Sequence, residues 1–229
     1  MQKLKRKITA IRAGRNTRVP CSNIFLDGKF SFSLDNEVLV KESLKIGQEL
    51  SSAQIRQLTE ANTVQRCHDA ALRFLSFRPR SRAETRLRLH QRGYPDAVIE
   101  GVISQLERSG LLDDKAFAEF WKENRNTFRP RGQRMLKLEL RRKGVQSTII
   151  EEVTENVDEP ENALKAAVAR ARTIPAGDYQ VFRQRLGNYL QRRGFSYRVI
   201  NTAVKKAWQE RTGNSSPESA LAEDVSVVE

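Results

Sequence analysis

A repeat of about fifty residues constrains this chain more than any other feature. The sequence Phe-Arg-Pro-Arg occurs at 77–80 and again at 128–131, and each copy leads into a basic stretch that ends at a glycine, Gly93 or Gly144. A weaker third copy ends at Gly194. Aligned on these glycines, the copies share a leucine four positions before, a basic residue one position before, and paired aliphatic residues five and six positions after. Such a period indicates small supersecondary units that stack on their neighbours.

Each repeat is predicted to contain three helices with short connections. The arginine before Pro79 ends the first helix of its unit, because the residue before a proline is pushed out of helical geometry. Gly93 is predicted to be the C-cap of the middle helix, and apolar residues at helical spacing after it predict a third helix. Helix starts are marked by a capping box and by other residues that favour a first turn. They are Ser81 with Glu84, Asp96, Asp113 with Asp114, Ser147 and Pro160.

The N-terminal part has a different pattern, which predicts strands. Asp27-Gly28 lies between alternating apolar residues, the mark of a two-residue hairpin turn that would place Phe25 opposite Phe30. Ser51 and Gln54 form a capping box that opens a short helix after the strands. A separate helix that begins near residue 64 is expected to start the first repeat.

Together these patterns predict a mainly α fold, in which an elongated tandem array of three three-helix repeats follows a small β-rich N-terminal module. The expected divisions are a basic leader (1–7), the β-rich module (8–62), repeat 1 (63–112), repeat 2 (113–159), repeat 3 (160–212) and a disordered acidic tail (213–229).

Positive charge concentrates in the middle helix of each predicted repeat. The formal net charge is +13, and the segments 78–92, 129–143 and 183–198 hold 18 of the 41 Lys and Arg residues. Charge that recurs in register with the repeat indicates an extended polyanionic partner, with nucleic acid first and an acidic protein surface or a membrane second. The plain structural alternative is that these arginines pair with acidic helices of neighbouring units.

The sequence offers no candidate for catalysis, for a metal or for a cofactor. His68 and His90 lie on predicted helices without carboxylates or cysteines at ligand spacing, and no glycine-rich phosphate loop occurs. Cys21 and Cys67 are too few for a disulfide framework, which indicates thiols in a reducing compartment. No apolar run approaches eighteen residues and no secretory leader is present, so we expect a cytoplasmic protein without membrane contacts that is not an enzyme.

The motif residues resemble those of the RecX family, whose members regulate the RecA recombinase. The similarity rests on Arg80 to Glu84, Leu87, Leu89, Arg92 to Tyr94, Ser109 to Asp114, Phe117-Ala118, Arg129 to Gly132 and Leu138 to Gly144. Ile24 to Phe32 and Asp35 to Leu50 resemble the extension found in some members. The third repeat departs from the pattern, because it lacks Arg-Pro-Arg and carries Gly187 and Asn188 in its middle helix.

This resemblance implies tandem three-helix repeats, no cofactor and no catalysis. It implies a protein that binds in the groove of the RecA filament on single-stranded DNA, inhibits ATP hydrolysis and strand exchange, and so regulates DNA repair and recombination. We expect the protein to be a monomer. Double-stranded DNA is a second candidate partner. Under this hypothesis, DNA phosphates or acidic groove walls face the following residues: Arg78, Arg80, Arg82, Arg129, Arg131, Arg134, Arg141, Arg142, Lys143, Arg192 and Arg193.

Two other functions stay open at this point. A three-helix unit also resembles a helix-turn-helix domain, which predicts a sequence-specific or structural DNA-binding protein with a preferred duplex site. An RNA-binding helical array is disfavoured, because the repeats show no exposed aromatic set for base stacking.

Overall fold

The computed structural model describes residues 5–14, 20–175 and 177–213, which form four strands and ten helices. The strands are β1 (Lys5–Ala13), β2 (Cys21–Leu26), β3 (Lys29–Asp35) and β4 (Glu49–Ser51). The helices are α1 (Asn36–Lys41), α2 (Ser52–Leu75), α3 (Arg82–Gln91), α4 (Asp96–Arg108), α5 (Asp114–Phe128), α6 (Gln133–Arg142), α7 (Ser147–Glu155), α8 (Glu159–Ala171), α9 (Tyr179–Arg192) and α10 (Tyr197–Thr212). The described residues fall into two compact units, the first within 1–78 and 84–112 and the second within 79–83 and 113–229.

The four strands of the first unit form an antiparallel sheet in the order β3-β2-β1-β4. Asp27 and Gly28 have φ values of 51° and 81°, which is the backbone that a type I′ hairpin turn requires. Phe25 pairs with Phe30, and their ring centroids lie 6.0 Å apart. The predicted hairpin and its register are therefore confirmed.

A single helix, α2, continues from this sheet into the first repeat, although the sequence predicted two helices. The predicted capping box is present, because the Gln54 N–H donates to Ser51 Oγ and the Ser51 N–H donates to Gln54 Oε1. Asn62, at the expected boundary, is buried inside the helix and accepts a hydrogen bond from the Asp35 N–H at 2.8 Å. No residue there breaks the helix, so the two-helix prediction is wrong, and the division at residue 62 falls within α2.

Three helices form each repeat, as predicted, and each repeat has its own buried cluster. The first repeat uses the C-terminal part of α2 with α3 and α4; the second uses α5–α7, and the third α8–α10. Gly93, Gly144 and Gly194 follow the three middle helices with φ values of 83°, 76° and 84°. Glycine adopts this left-handed backbone readily, and it ends each helix. The leucine four residues before each glycine is completely buried.

The helix starts agree with the sequence in part. The Asp113 carboxylate caps α5 by accepting from the N–H groups of Lys115 and Ala116. Asp96 and Ser147, however, are the first helical residues of α4 and α7, and the N-caps are Pro95 and Gln146 without a side-chain cap bond. Both helices begin one residue earlier than the cap assignments require. The negative charge of Asp96, in the first turn, still stabilises α4 by its interaction with the positive end of the helix dipole.

Only part of the predicted N-terminal leader lies within the described residues, and nearly all of the predicted C-terminal tail lies outside them. Lys5 to Lys7 of the predicted basic leader pair with β4, so they belong to the sheet. Residues 1–4 of the leader and 214–229 of the predicted acidic tail lie outside the described residues. Among the described helices, none is both long and apolar enough to cross a lipid bilayer.

Within the second unit, the start of a middle helix packs against a glycine turn at two equivalent places. Ser81 Oγ donates to the carbonyl of Lys143 at 2.6 Å, next to Gly144. One repeat later, the Gly132 N–H donates to the carbonyl of Arg193 at 3.0 Å, next to Gly194. The turns at Gly144 and Gly194 therefore each contact the residue that precedes another helix.

Candidate polyanion-binding surface

Five of the eleven predicted contact residues have exposed side chains, and four of these lie in α6 or just before it. The exposed residues are Arg129, Arg134, Arg141, Arg142 and Arg192. Helical periodicity places Arg134, Arg141 and Arg142 outward, because Leu136 and Leu140 turn the opposite face of α6 into the core with 1% and 0% exposure. The outer face of α6 is therefore a surface of guanidinium groups.

The other six predicted residues are partly buried. They are Arg78, Arg80, Arg82, Arg131, Lys143 and Arg193. Arg78 forms an ion pair with Glu84 at 3.2 Å. Arg193 donates to the carbonyl of Pro130 at 3.1 Å and lies over the Tyr189 ring, with 4.6 Å from guanidinium carbon to ring centroid. Burial, together with the charges of nearby arginines, lowers the pKa of Arg193.

Glu139 organises a network of cations inside the second repeat. Its carboxylate accepts from the Trp121 indole N–H at 2.9 Å and from Arg125 Nε at 2.6 Å, and Arg131 Nε lies 3.5 Å from it. The Lys143 ammonium lies 5.0 Å from the centroid of the Trp121 ring, at cation–π distance. Arg78 and Arg131 thus pair with carboxylates of the chain itself, as the alternative interpretation of the basic residues predicted. That they also contact a partner stays a prediction.

Exposed apolar residues, which the sequence patterns did not predict, also recur with the repeat. Phe77 and Phe128, the first residues of the two Phe-Arg-Pro-Arg segments, are 82% and 74% exposed. Leu87 and Leu138, likewise one repeat apart, are exposed too. Recurrence of the phenylalanine beside the arginines was the available signal. Exposed apolar side chains at equivalent positions therefore accompany the basic residues in the first two repeats.

Tyr197 is a further exposed residue that sequence reasoning missed. Its side chain is 72% exposed at the first position of α10, and it lines a groove in the third repeat together with Arg134 and Arg183. The sequence predicts no exposed aromatic set for base stacking, so this exposed ring is a difference from that expectation. Exposure of this ring depends on how α9 and α10 pack, which helical periodicity does not reveal.

Metal-ligating side chains are not clustered in the part of the chain that the structure describes. No cluster of three or more His, Cys, Asp or Glu side chains there could hold a metal ion. Cys21 and Cys67 are both buried. Burial raises the pKa of the Cys67 thiol to about 11, which leaves little thiolate at neutral pH. The arrangement on these residues suits binding through charge and stacking.

Comparison with known proteins covers most of the chain. Family models described as RecX first, second and third three-helix domain match residues 67–106, 113–153 and 158–204. A model described as regulatory protein RecX N-terminal domain matches residues 6–51. The matched segments follow the sheet and the three repeats of the structure in order.

Similar whole proteins agree with the domain matches. Regulatory protein RecX of Bacillus velezensis is 34% identical over 203 residues, which is 87% of this chain and 77% of that protein. Regulatory protein RecX of Bacillus pumilus is 31% identical over 217 residues, covering 93% of this chain and 82% of that protein. A crystal structure of regulatory protein RecX superposes with a TM-score of 0.64 at 25% identity, covering 86% of this chain and 98% of that one. The chain therefore belongs to the RecX family.

Proposed function

We propose that this chain is a non-enzymatic inhibitor of the RecA recombinase that binds in the groove of the RecA–single-stranded DNA filament. There it suppresses ATP hydrolysis and strand exchange, and so regulates DNA repair and recombination. Membership of the RecX family, whose similar members are named regulatory proteins, supports a regulatory role. The observation that carries the binding mode is the exposed guanidinium surface of α6, formed by Arg134, Arg141 and Arg142.

A surface of this kind favours a polyanion for an electrostatic reason. Each cation that neutralises a phosphate releases condensed counterions, so affinity falls steeply as salt rises. Arg134 and Arg142 are eight residues apart on one helix, which places them about 12 Å apart along its axis at 1.5 Å per residue. The α6 arginines can therefore contact an extended strand or a charged groove wall at more than one point.

The experiment is charge reversal on this surface, with the triple variant Arg134→Glu, Arg141→Glu and Arg142→Glu. We expect the concentration that half-inhibits RecA ATPase on single-stranded DNA to rise at least about tenfold, because attraction becomes repulsion. Arg131 is left unchanged, since its reversal would disturb the Glu139 network. If the triple variant inhibits RecA ATPase at the same concentration as the wild type, α6 is not part of the interface.

A matched control uses three exposed lysines of the first unit. The variant Lys29→Glu, Lys41→Glu and Lys45→Glu changes the net charge by the same amount, at positions outside the three repeats. It should inhibit nearly as the wild type does, if location and not total charge decides binding. Equal loss in both variants would contradict a specific α6 surface.

Binding to single-stranded DNA alone gives a second readout. Removing three phosphate contacts should reduce the slope of log affinity against log salt by roughly 2, at about 0.7 per contact for single strands. The alternative, a duplex-binding protein of helix-turn-helix type, is tested by selection from random duplexes. A single recovered motif would favour that alternative over the filament modulator.

A further inference from the structure

A groove of about 870 Å³ opens in the third repeat between α9 and α10, and Arg134 of α6 closes one side of it. Its volume lies in the range of about 300–1,000 Å³ typical of small-molecule sites. All of its lining residues belong to the second unit. The α6 surface described above meets this groove at Arg134, so the two are continuous.

The lining has the chemistry of a base-binding site. Tyr197 presents an exposed ring at the groove, and hydrogen bonding with Asn201 and the charge of Arg183 lower the pKa of its hydroxyl. Side-chain amides supply both donors and acceptors, which suits the edges of unpaired bases. Those amides belong to Gln133, Gln180, Gln184, Asn188, Gln191 and Asn201.

Charge in the groove is positive but low. Arg134 and Arg183 supply guanidinium groups, whereas Glu159 is the carboxylate among the lining residues. Glu159 accepts a hydrogen bond from the Ser196 hydroxyl at 3.1 Å. Two cations beside a lining rich in amides suit a ligand that combines one or two charges with several hydrogen-bonding edges, such as one or two nucleotides of a single strand. An acidic peptide would be better matched by a row of cations.

Gly187 supplies an independent observation. It lies in the interior of α9, where glycine costs about 0.5–1 kcal/mol relative to alanine. A Cβ built there would meet Ile200 Cγ2 at 3.8 Å, which is ordinary van der Waals contact. Packing therefore does not require glycine at this position. Because Gly187 lines the groove, its missing side chain leaves part of the groove wall bare, as a closely approaching ligand needs.

We propose that this groove binds unpaired bases of single-stranded DNA, with Tyr197 as the stacking platform and with Arg134 and Arg183 at the neighbouring phosphates. The inference rests on the proposed function for the identity of its ligand and adds a base-contacting subsite to it. Stacking on an aromatic ring is tolerant of sequence, because every base has a π-face. The subsite therefore favours single strands over duplexes without reading a sequence.

The experiment measures binding of the full chain, without RecA, to two strands of equal length. One is oligothymidylate of about fifteen nucleotides, and the other is an abasic strand with the same phosphates. We expect the wild type to bind oligothymidylate about tenfold more tightly, the size of one base–aromatic stack. Tyr197→Ala should lose this preference and keep its affinity for the abasic strand, whereas Tyr197→Phe should keep both.

Gly187→Leu tests the groove by a second route. The leucine should fill space that a base needs and abolish the preference, while its better helix propensity keeps the melting temperature at or above that of the wild type. Equal binding of both strands to the wild type, or a preference that survives Tyr197→Ala, would overturn the subsite. The failures are separable, because loss of the base preference with intact RecA inhibition rejects the subsite alone. A wild type that does not inhibit RecA rejects the proposed function.

Discussion

At the scale of single residues, partial burial separates the arginines of this chain into two groups. Exposed side chains such as Arg134 and Arg142 are available to a partner, whereas Arg131 is held beside Glu139. The Glu139 side chain is 16% exposed, and its carboxylate also accepts hydrogen bonds from Arg125 and Trp121. One carboxylate in a partly buried site is thus the acceptor for an indole N–H and a guanidinium group, and a second guanidinium group lies beside it.

Replacing Glu139 by alanine should lower the free energy of unfolding by about 2–3 kcal/mol, because the indole N–H and the guanidinium groups would lose their acceptor in a partly buried site. Glu151→Ala is the control, since Glu151 pairs with Lys137 but is 56% exposed. An exposed pair of this kind contributes less than about 1 kcal/mol. Urea unfolding followed by tryptophan fluorescence measures both. Equal midpoints for the two variants would show that the Glu139 network contributes no more than a surface pair.

At the scale of elements, the joint between α6 and the turn after α9 depends on two glycines. Gly132 has φ −71°, a backbone conformation that any residue adopts. Glycine is therefore required at this position for lack of space and not for its backbone conformation. A Cβ on Gly132 would lie 2.2 Å from the carbonyl oxygen of Gly194 and 2.5 Å from the Phe195 nitrogen. Both are main-chain atoms, which cannot turn aside as a flexible side chain can. The second and third repeats therefore meet through backbone contact.

Gly132→Ala should destabilise the chain by more than about 2 kcal/mol, since overpacking against backbone forces a shift of the joint. Gly101→Ala makes the same chemical change inside α4, where an added Cβ would meet nothing within 4 Å. That variant should be more stable by about 0.5–1 kcal/mol through helix propensity. Thermal melting of the two variants gives opposite shifts, and a neutral Gly132→Ala would disprove the backbone joint.

Elements that depend on local chemistry could be predicted, and those that depend on tertiary packing could not. The Asp27-Gly28 hairpin follows from the conformations of two adjacent residues, and the helix end at Gly194 from a left-handed glycine. The mainly α fold, with three three-helix repeats after a small sheet, is confirmed. The continuity of α2 was missed because its boundary was drawn between modules, although the chain has no helix breaker there.

The candidate site was harder to predict for the same reason. The sequence predicts the basic character of the middle helices, and Arg134 and Arg141 of α6 are exposed. The pairing of Arg131 with Glu139 depends on how the Arg-Pro segment enters α6, which no periodic pattern encodes. The groove beside Tyr197 depends on the packing of α9 against α10. Sequence reasoning therefore finds the charge of such a site more readily than its shape.

At the scale of the whole molecule, the third helices of the first two repeats neutralise part of the basic charge within their own repeats. Glu100 of α4 pairs with Arg86 of α3 at 2.6 Å, and Glu152 of α7 pairs with Lys115 of α5 at 2.5 Å. The net charge of +13 is what remains after such compensation across the chain. Further acidic residues, in 214–229, lower the net charge of the chain. That segment contains four carboxylates and no Lys or Arg.

Removing residues 214–229 should therefore strengthen binding to single-stranded DNA, because the net charge of +13 would rise by four. At about 50 mM salt, where the Debye length exceeds about 10 Å, we expect a several-fold gain in affinity, which should shrink toward none near 0.5 M. A full-length variant with Glu218→Gln, Glu223→Gln, Asp224→Asn and Glu229→Gln separates charge from bulk. It should reproduce the gain of the truncated chain, with the same salt dependence. A gain on truncation that the neutralised variant lacks would show that the segment acts by occupying space, and the field of the whole molecule would not explain its effect.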